Sequence, residues 1–205
     1  MMGQFFKPLM VVTALGFVAV GCGTTTPAMP NRITEPTIDQ PGRHIVRYRD
    51  NVIEVVLDTS FAANNLGDEW LILSAAMSGM TGGATKVKRD LTSLRTPDGR
   101  TIPMPTYREF NAAYNELASA ARRAELASDP LDFMRGGRRA CSIDFFPLPG
   151  SGRSSNTALN VTKNELCVGK LYFPVRNGVQ PGNWKLIIEF EETEAVVPFT
   201  LDVER

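Results

Sequence analysis

Two segments near the carboxyl end of the chain alternate strictly between apolar and other residues. In the first segment the apolar positions are Trp184, Leu186, Ile188 and Phe190. In the second they are Ala195, Val197, Phe199, Leu201 and Val203. Because successive side chains of a strand point to opposite faces, this period of two predicts two β-strands that each bury one face. The domain is therefore expected to contain an antiparallel sheet.

Further strand and turn signals precede these segments. Residues 43–49 and 52–58 are separated by Asp50-Asn51, which tolerate tight turns and predict a hairpin or a kinked strand. Residues 69–77 are apolar at consecutive positions, which is typical of a central strand. Residues 85–95 are expected to form a strand that returns through the turn Thr96-Pro97-Asp98-Gly99-Arg100.

One long helix is predicted between the strands, at about residues 106–128. Thr106 and Glu109 form the Thr-x-x-Glu pattern of a capping box, in which each side chain accepts a hydrogen bond from the other residue's backbone. Four apolar or aromatic residues then recur at helical spacing: Phe110, Tyr114, Leu117 and Ala121. This stripe is interpreted as core, although the same pattern could dock another protein. Asp129-Pro130 predicts the end of the helix, and a short turn should follow as far as Gly136-Gly137.

Strand signals resume at residues 140–146, 158–161 and 168–175. With those described above they make about eight to ten short strands separated by turns. The sequence therefore predicts a mainly β fold, an antiparallel β-sandwich with one inserted helix.

The amino-terminal region has the features of a signal peptide. Lys7 precedes an apolar run of about a dozen residues, 9–20. A membrane-spanning helix needs roughly 20 such residues, so this run is too short to be one. The small residues Ala19 and Gly21 then lead to Cys22. Residues 1–21 are predicted to be removed as a signal peptide.

The segment Ala19-Val20-Gly21-Cys22 resembles the lipobox of bacterial lipoproteins, with Ala19 where Leu is usual. The resemblance implies lipidation of Cys22, which anchors the chain to a membrane of the bacterial cell envelope. Two or three acyl chains hold a protein durably on a bilayer. In similar lipoproteins an Asp after the Cys favours the inner membrane. Gly23 stands there, so the resemblance implies the periplasmic side of the outer membrane if the cell has two membranes. An ordinary secreted protein is the alternative.

Residues 22–42 are predicted to be the lipidated Cys followed by a flexible tether. The segment is rich in Thr and Pro and nearly lacks apolar residues, so it cannot bury enough surface to offset its ordering entropy. Residues 43–205, about 160 in number, have the size of one domain with a substantial core.

The charge balance argues against nucleic acid as a partner. The chain has 22 basic and 22 acidic side chains. Removal of Lys7 with the signal peptide leaves 21 against 22, a formal charge of −1. Binding to a polyanion normally requires a basic domain.

Four segments resemble strands and turns of immunoglobulin-like domains in uncharacterised bacterial envelope lipoproteins. They are Gly67-Asp68-Glu69-Trp70-Leu71-Ile72-Leu73, Thr96-Pro97-Asp98-Gly99-Arg100, Gly169-Lys170-Leu171-Tyr172-Phe173-Pro174-Val175 and Gly182-Asn183-Trp184-Lys185-Leu186. The resemblance covers about a third of the domain and implies an immunoglobulin-like sandwich. It implies no functional residue, and the long helix departs from a minimal sandwich.

Two cysteines remain after Cys22. Cys141 and Cys167 each begin a predicted strand, and an even pair in an exported domain predicts a disulfide. The alternative is two buried thiols that do not meet. A metal site is not predicted, because no other ligand cluster accompanies the pair.

The sequence offers little for catalysis, so no catalytic, cofactor or metal residue is predicted. His44 is the only histidine and lies in the first predicted strand. Residues 79–86 are similar to a phosphate loop but lack its Gly-Lys-Ser/Thr ending, and they are interpreted as a glycine-rich hairpin loop. The carboxylates Asp68-Glu69 and Glu191-Glu192-Glu194 are placed in turns, where charges are usually solvated.

The basic residues of the helical region are interpreted as a solvated surface, with contact to an anionic glycan or lipid headgroup as the alternative. They are Arg122, Arg123, Arg135, Arg138 and Arg139.

These observations predict a lipid-anchored envelope protein that acts as a protein–protein interaction or assembly module, through a sheet edge or the helix and its flanking loop. A small-molecule or glycan receptor with a pocket between helix and sheet is the alternative. Enzymatic activity is not expected.

Overall fold

The computed structural model describes residues 35–127, 131–191 and 193–202. Its strands are β1 (Thr37–Gly42), β2 (Ile45–Arg49), β3 (Ile53–Asp58), β4 (Trp70–Gly79), β5 (Thr85–Lys88), β6 (Thr92–Arg95), β7 (Thr101–Pro103), β8 (Arg139–Ser142), β9 (Ala158–Val161), β10 (Glu165–Pro174), β11 (Gly182–Glu189) and β12 (Glu194–Leu201). Its helices are α1 (Ser60–Ala63) and α2 (Tyr107–Leu126), and short 3₁₀ turns occupy Arg89–Leu91 and Asp132–Arg135. The predicted signal peptide, Cys22 and most of the predicted tether lie outside the described residues.

The strands form three sheets. A six-stranded sheet has the order β1-β2-β3-β4-β10-β8, a four-stranded sheet has the order β12-β11-β6-β7, and β5 pairs with β9. Neighbouring strands are antiparallel except β8 and β10, which are parallel. The prediction of a mainly β fold with antiparallel sheets and one long helix is confirmed.

The helix and the four-stranded sheet cover opposite faces of the six-stranded sheet. Phe110 of α2 contacts Tyr172 of β10, with ring centroids 4.9 Å apart. Leu71 of β4 points to the other face, because side chains alternate along a strand. One continuous core joins Leu71 to Leu186 and Val197 of the four-stranded sheet. Strand β4 is therefore buried on both faces, as predicted for a central strand.

The predicted capping box is confirmed and starts α2 at Tyr107. The hydroxyl of Thr106 accepts the backbone N–H of Glu109 at 3.2 Å, and Glu109 Oε2 accepts the N–H of Thr106 at 2.7 Å. Three members of the stripe predicted for this helix, Phe110, Leu117 and Ala121, are buried in the core, and the fourth, Tyr114, packs against it partly buried. The helix therefore uses its apolar face to join the sheet and not to form a separate docking surface.

The predicted hairpin around Asp50 is also confirmed. Asp50 Oδ1 accepts the backbone N–H groups of Val52 and Ile53, each at 2.7 Å, and turns β2 into the antiparallel β3. Gly136 and Gly137 follow the second 3₁₀ turn with φ values of 53° and 82°, at the predicted break. Short-range hydrogen bonds and glycine positions thus place these elements where the sequence predicts them.

Several features of the fold differ from the predictions. Strand β1 occupies residues 37–42, so the folded region extends into the predicted tether. The predicted strand 85–95 is interrupted by a 3₁₀ turn, and its halves, β5 and β6, join different sheets. The loop 80–84 is not a hairpin, because β4 and β5 do not pair. Strand β8 ends at Ser142, short of the predicted residue 146.

The early end of β8 has a local cause at the neighbouring strand. Ile143 still donates its backbone N–H to Val168 O at 3.0 Å, but the chain then crosses over Gly169 of β10. A Cβ atom on Gly169 would lie 2.6 Å from Ile143 O, so only glycine allows this approach. The crossing takes residues 144–148 away from the sheet edge.

Candidate functional site

A groove of about 470 Å³ lies between strand β7 and the first turn of α2. Its apolar lining consists of Trp70, Ile102, Pro103, Met104, Pro105 and Pro174. Its polar lining includes Arg100, Glu109 and Arg176. We call this the β7–α2 groove. An apolar groove with a few charged groups at its margin is the usual form of a binding site.

Two rigid turns hold the walls of the groove. The backbone N–H of Thr96 donates to Arg100 O at 2.9 Å, and Gly99 adopts a φ of 87°, which closes the turn between β6 and β7. The capping box fixes the first turn of α2 on the opposite wall. Trp70 packs edge-on against Phe110, with ring centroids 6.5 Å apart. The shape of the groove therefore does not depend on a flexible loop.

The carboxylates near the groove already have partners. Asp98 accepts the hydroxyl of Thr96 and also binds Arg100, and these contacts lower the pKa of Asp98. The backbone N–H and hydroxyl of Thr106 lower the pKa of Glu109. Both carboxylates thus remain anionic at neutral pH and already accept hydrogen bonds from neighbouring residues.

Arg176 is the one charged lining residue that has no hydrogen-bond or ion-pair partner among the described residues. It is exposed just beyond the end of β10. Arg100 is paired with Asp98, whereas the hydrogen bonds from the neutral Thr106 leave the negative charge of Glu109 in place, so the margin of the groove carries charges of both signs. A negative group on a ligand could pair with Arg176 there without displacing an internal contact.

No protein-family model, curated protein or solved structure matches this chain. Its function must therefore be inferred from the chemistry of its own residues.

A second, polar cavity of about 250 Å³ lies between the last turn of α2 and β10. Its charged lining residues are Glu125, Asp144, Arg153 and Lys170. Arg153 forms an ion pair with Asp144, and Lys170 Nζ donates to Ser74 Oγ at 2.6 Å. Charges of both signs thus surround a small space, at the place expected for a pocket between helix and sheet.

The carboxylates and the histidine considered for catalysis do not come together. His44 lies between β1 and β2, and its backbone carbonyl accepts the N–H of Thr59 at 2.8 Å. Asp68 and Glu69 lie just before β4. Their backbone carbonyl oxygens accept N–H groups from the segment that follows β10. Within residues 35–127, 131–191 and 193–202, no group of three or more His, Cys, Asp or Glu residues could hold a metal ion.

The acidic cluster near residue 191 borders a third cavity, of about 400 Å³. Glu189 and Glu191 line it together with Lys86 and Lys88, and Glu192 lies outside the described residues. Lysine and glutamate side chains thus face the same space in this cavity.

The arginines of the predicted basic surface bind different partners in the structure. Arg138 donates to Glu54 Oε2 at 2.8 Å, and the Glu54 side chain is only 3% exposed. Arg139 binds Glu165, and Arg123 donates to the side-chain oxygen of Asn65 at 3.4 Å. Several of these arginines thus hold elements of the fold together. The buried Glu54 was not predicted, although a glutamate inside the apolar run of β3 was its signal.

Two buried tyrosines of the six-stranded sheet offer a matched test of what a hydrogen bond to a buried hydroxyl contributes to stability. The Tyr172 hydroxyl is buried and has no hydrogen-bond partner among the described residues, whereas the Tyr48 hydroxyl donates to Asp50 Oδ2 at 2.8 Å. We expect Tyr172→Phe to raise the free energy of unfolding by about 1 kcal/mol and Tyr48→Phe to lower it by about 1.5–3 kcal/mol. Urea unfolding at pH 7 measures both. Equal destabilisation by the two variants would contradict the expectation.

Alkaline pH should separate these tyrosines further. Burial raises the pKa of Tyr172, and burial together with the Asp50 hydrogen bond raises the pKa of Tyr48. The unfolded chain loses its tyrosine protons near pH 10, while the folded protein retains these two. Stability should therefore fall as the pH rises above about 10, and Tyr172→Phe should make this decline less steep.

The sequence predictions missed the β7–α2 groove. Its lining comes from four separate segments, and no local motif joins them. Pro103 and Pro105, two residues apart after a hairpin turn, were the available signal. The predicted lipidation of Cys22 falls outside the described residues. The part of the chain that the structure describes contains no helix long and apolar enough to span a membrane.

Proposed function

We propose that this chain is a lipid-anchored cell-envelope protein whose β domain binds an extended segment of another envelope protein in the β7–α2 groove. The proposed anchor is Cys22, and the proposed fold class is an immunoglobulin-like sandwich. The two larger sheets share one core, which supports a sandwich. The lipobox resemblance supports the anchor.

The observation that carries the binding proposal is the combination of an apolar groove and an unpaired cation at its margin. The lining of prolines, Trp70 and Met104 offers apolar surface to a ligand. Arg176 offers charge without first breaking an internal ion pair. The strands and the capped helix that form the apolar walls are already ordered, so their backbone loses little entropy when a ligand binds.

Site-specific photocross-linking in intact cells tests the binding proposal. A photoreactive amino acid at Thr101, which is exposed in the groove, should yield one partner adduct in near-stoichiometric amount. The same amino acid at Lys163, exposed in the turn between β9 and β10, should not yield that adduct. Identical adduct patterns from both positions, or none from Thr101, would exclude the groove as the binding site.

The anchor has its own test. Cys22→Ala in the full-length chain should shift the protein from the membrane fraction to the aqueous fraction, because the acyl chains supply the membrane affinity. Fractionation with immunodetection measures this shift, and Cys22→Ala should not change the folded domain. Retention of the variant in the membrane fraction would contradict lipid anchoring.

The polar cavity at Lys170 favours a second candidate function, the binding of a small polar molecule or glycan. Its charged groups could pair with a ligand that carries both signs. A ligand-induced rise in melting temperature that Lys170→Ala abolishes and Arg176→Ala preserves would favour this function over the groove.

A further inference from the structure

The backbone of β7 determines which kind of polypeptide can bind beside it. Thr96 N–H donates to Arg100 O at 2.9 Å, and Met104 N–H donates to Thr92 O at 3.0 Å. Backbone groups alternate in direction along an antiparallel edge strand, so Arg100, Ile102 and Met104 direct theirs toward β6. Thr101 and Pro103 direct theirs toward the open edge.

That open edge is poor in hydrogen-bond donors. Proline has no backbone N–H, so Pro103 offers only a carbonyl oxygen, and the next alternate residue is Pro105. Thr101 supplies the single backbone donor of β7 at this edge. A strand added to β7 would leave carbonyl groups of its own unpaired, and proline at such positions blocks strand addition. The groove is therefore unsuited to a ligand that extends the sheet.

A polyproline II segment does not need a ladder of backbone donors. It has no internal hydrogen bonds and binds to aromatic and apolar grooves by surface contact, with a few donors to its carbonyl groups. Trp70 lines the groove, and its indole N–H has no acceptor among the described residues. By contrast, the indole N–H of Trp184 donates to Gln180 O at 2.9 Å. Trp70 is thus available to donate to a ligand carbonyl.

The charge of the groove adds a second requirement. Arg176 has no partner among the described residues, while both nearby carboxylates are bound by Thr96, Arg100 or Thr106. A carboxylate on the ligand can pair with Arg176 without displacing an internal contact. A basic ligand residue beside Arg176 would be repelled by that guanidinium.

We propose that the β7–α2 groove binds a polyproline II segment of a partner protein that carries an acidic side chain next to its prolines. This inference rests on the proposed function of the groove. It specifies the conformation of the bound segment and the charge that it carries.

Selection from a random peptide library displayed on phage tests the inference with the mature, full-length protein as bait. The expected consensus contains prolines and one Asp or Glu. Enrichment of peptides with alternating β-branched residues and no proline would overturn the inference. The proposed function would stand, because the groove would still bind a peptide. No enrichment would overturn the proposed function as well. A consensus that reproduces residues 24–36 of this chain would make the chain itself the occupant and overturn the assignment to a partner protein.

Fluorescence anisotropy with the selected peptide then tests the contacts. Arg176→Ala should weaken binding about tenfold or more, and this loss should vanish when the acidic residue of the peptide is replaced by its amide. Trp70→Phe, which keeps a ring but removes the N–H, should weaken binding about threefold to tenfold. Lys163→Ala is the matched control and should bind normally. Equal losses for the acidic and amide peptides would overturn the role of Arg176.

Discussion

Phe110→Ala should lower the free energy of unfolding by about 3–5 kcal/mol, because it removes the ring that joins α2 to the six-stranded sheet. Phe110 is fully buried. Its ring centroid lies 4.9 Å from that of Tyr172 and 5.1 Å from that of Phe146. A domain is typically stable by about 5–15 kcal/mol, so the loss is a large part of the total.

Urea unfolding followed by circular dichroism measures this effect, and Leu126→Ala provides the control on the same helix. Leu126 is 85% exposed, so its truncation should change the stability by no more than about 0.5 kcal/mol. Phe110→Leu, which fills part of the space, should fall between the two. A loss below about 1 kcal/mol for Phe110→Ala, with an unchanged denaturant slope, would mean that the helix is held by other contacts.

Elements that depend on nearby residues could be predicted from the sequence. The capping box at Thr106 and Glu109, the Asp50 turn and the Thr96–Arg100 turn each satisfy their backbone groups within a few residues. Their chemistry is complete in the local sequence, so its pattern suffices to place them. The predicted helix, at about 106–128, therefore differs from α2 by one or two residues at each end.

The assignment of strands to sheets could not be predicted in the same way. Buried and outward positions alternate within β5 and within β6, but the phase changes between Val87 and Thr92, where the chain passes from one sheet to another. Alternation reports that a strand has a buried face and not which sheet supplies the partner. Strand β4 is buried on both faces, so its pattern also could not indicate which face α2 covers.

The β7–α2 groove could not be predicted from the sequence, because the residues that line it are far apart in the chain. Trp70 begins β4, Pro103 ends β7, and Arg176 follows β10. Each has an ordinary structural explanation when considered alone. Only the structure shows that Asp98 and Glu109 bind other groups and that Arg176 is therefore free to bind a ligand.

Loss of the cysteine pair should lower the free energy of unfolding by about 3.5 kcal/mol. Cys141 of β8 and Cys167 of β10 are direct partners in the parallel register, with Cα atoms 4.3 Å apart and at disulfide-bonding distance, which agrees with the predicted bridge. The cysteines are separated by 26 positions in the sequence. A bridge that closes such a loop stabilises the fold by restricting the unfolded chain, on the chain-entropy account.

The double variant Cys141→Ala/Cys167→Ala should unfold at a lower urea concentration, and wild-type protein in dithiothreitol should show a similar loss. Reductant should not affect the double variant, which controls for effects elsewhere. If both cysteines of unreduced, unfolded wild type react with iodoacetamide, the alternative of two free thiols is correct.

The effect of the bridge should be concentrated at one edge of the six-stranded sheet. Strand β8 is only four residues long, and it contacts the sheet on one side, through β10. The other three edge strands of the two larger sheets contain Pro41, Pro103 and Pro198, whereas β8 contains no proline to protect its open edge. Removal of the bridge should therefore speed hydrogen exchange at residues 139–143 more than at β4. Uniform acceleration across the sheet would show instead that the bridge stabilises the whole domain through the unfolded state alone.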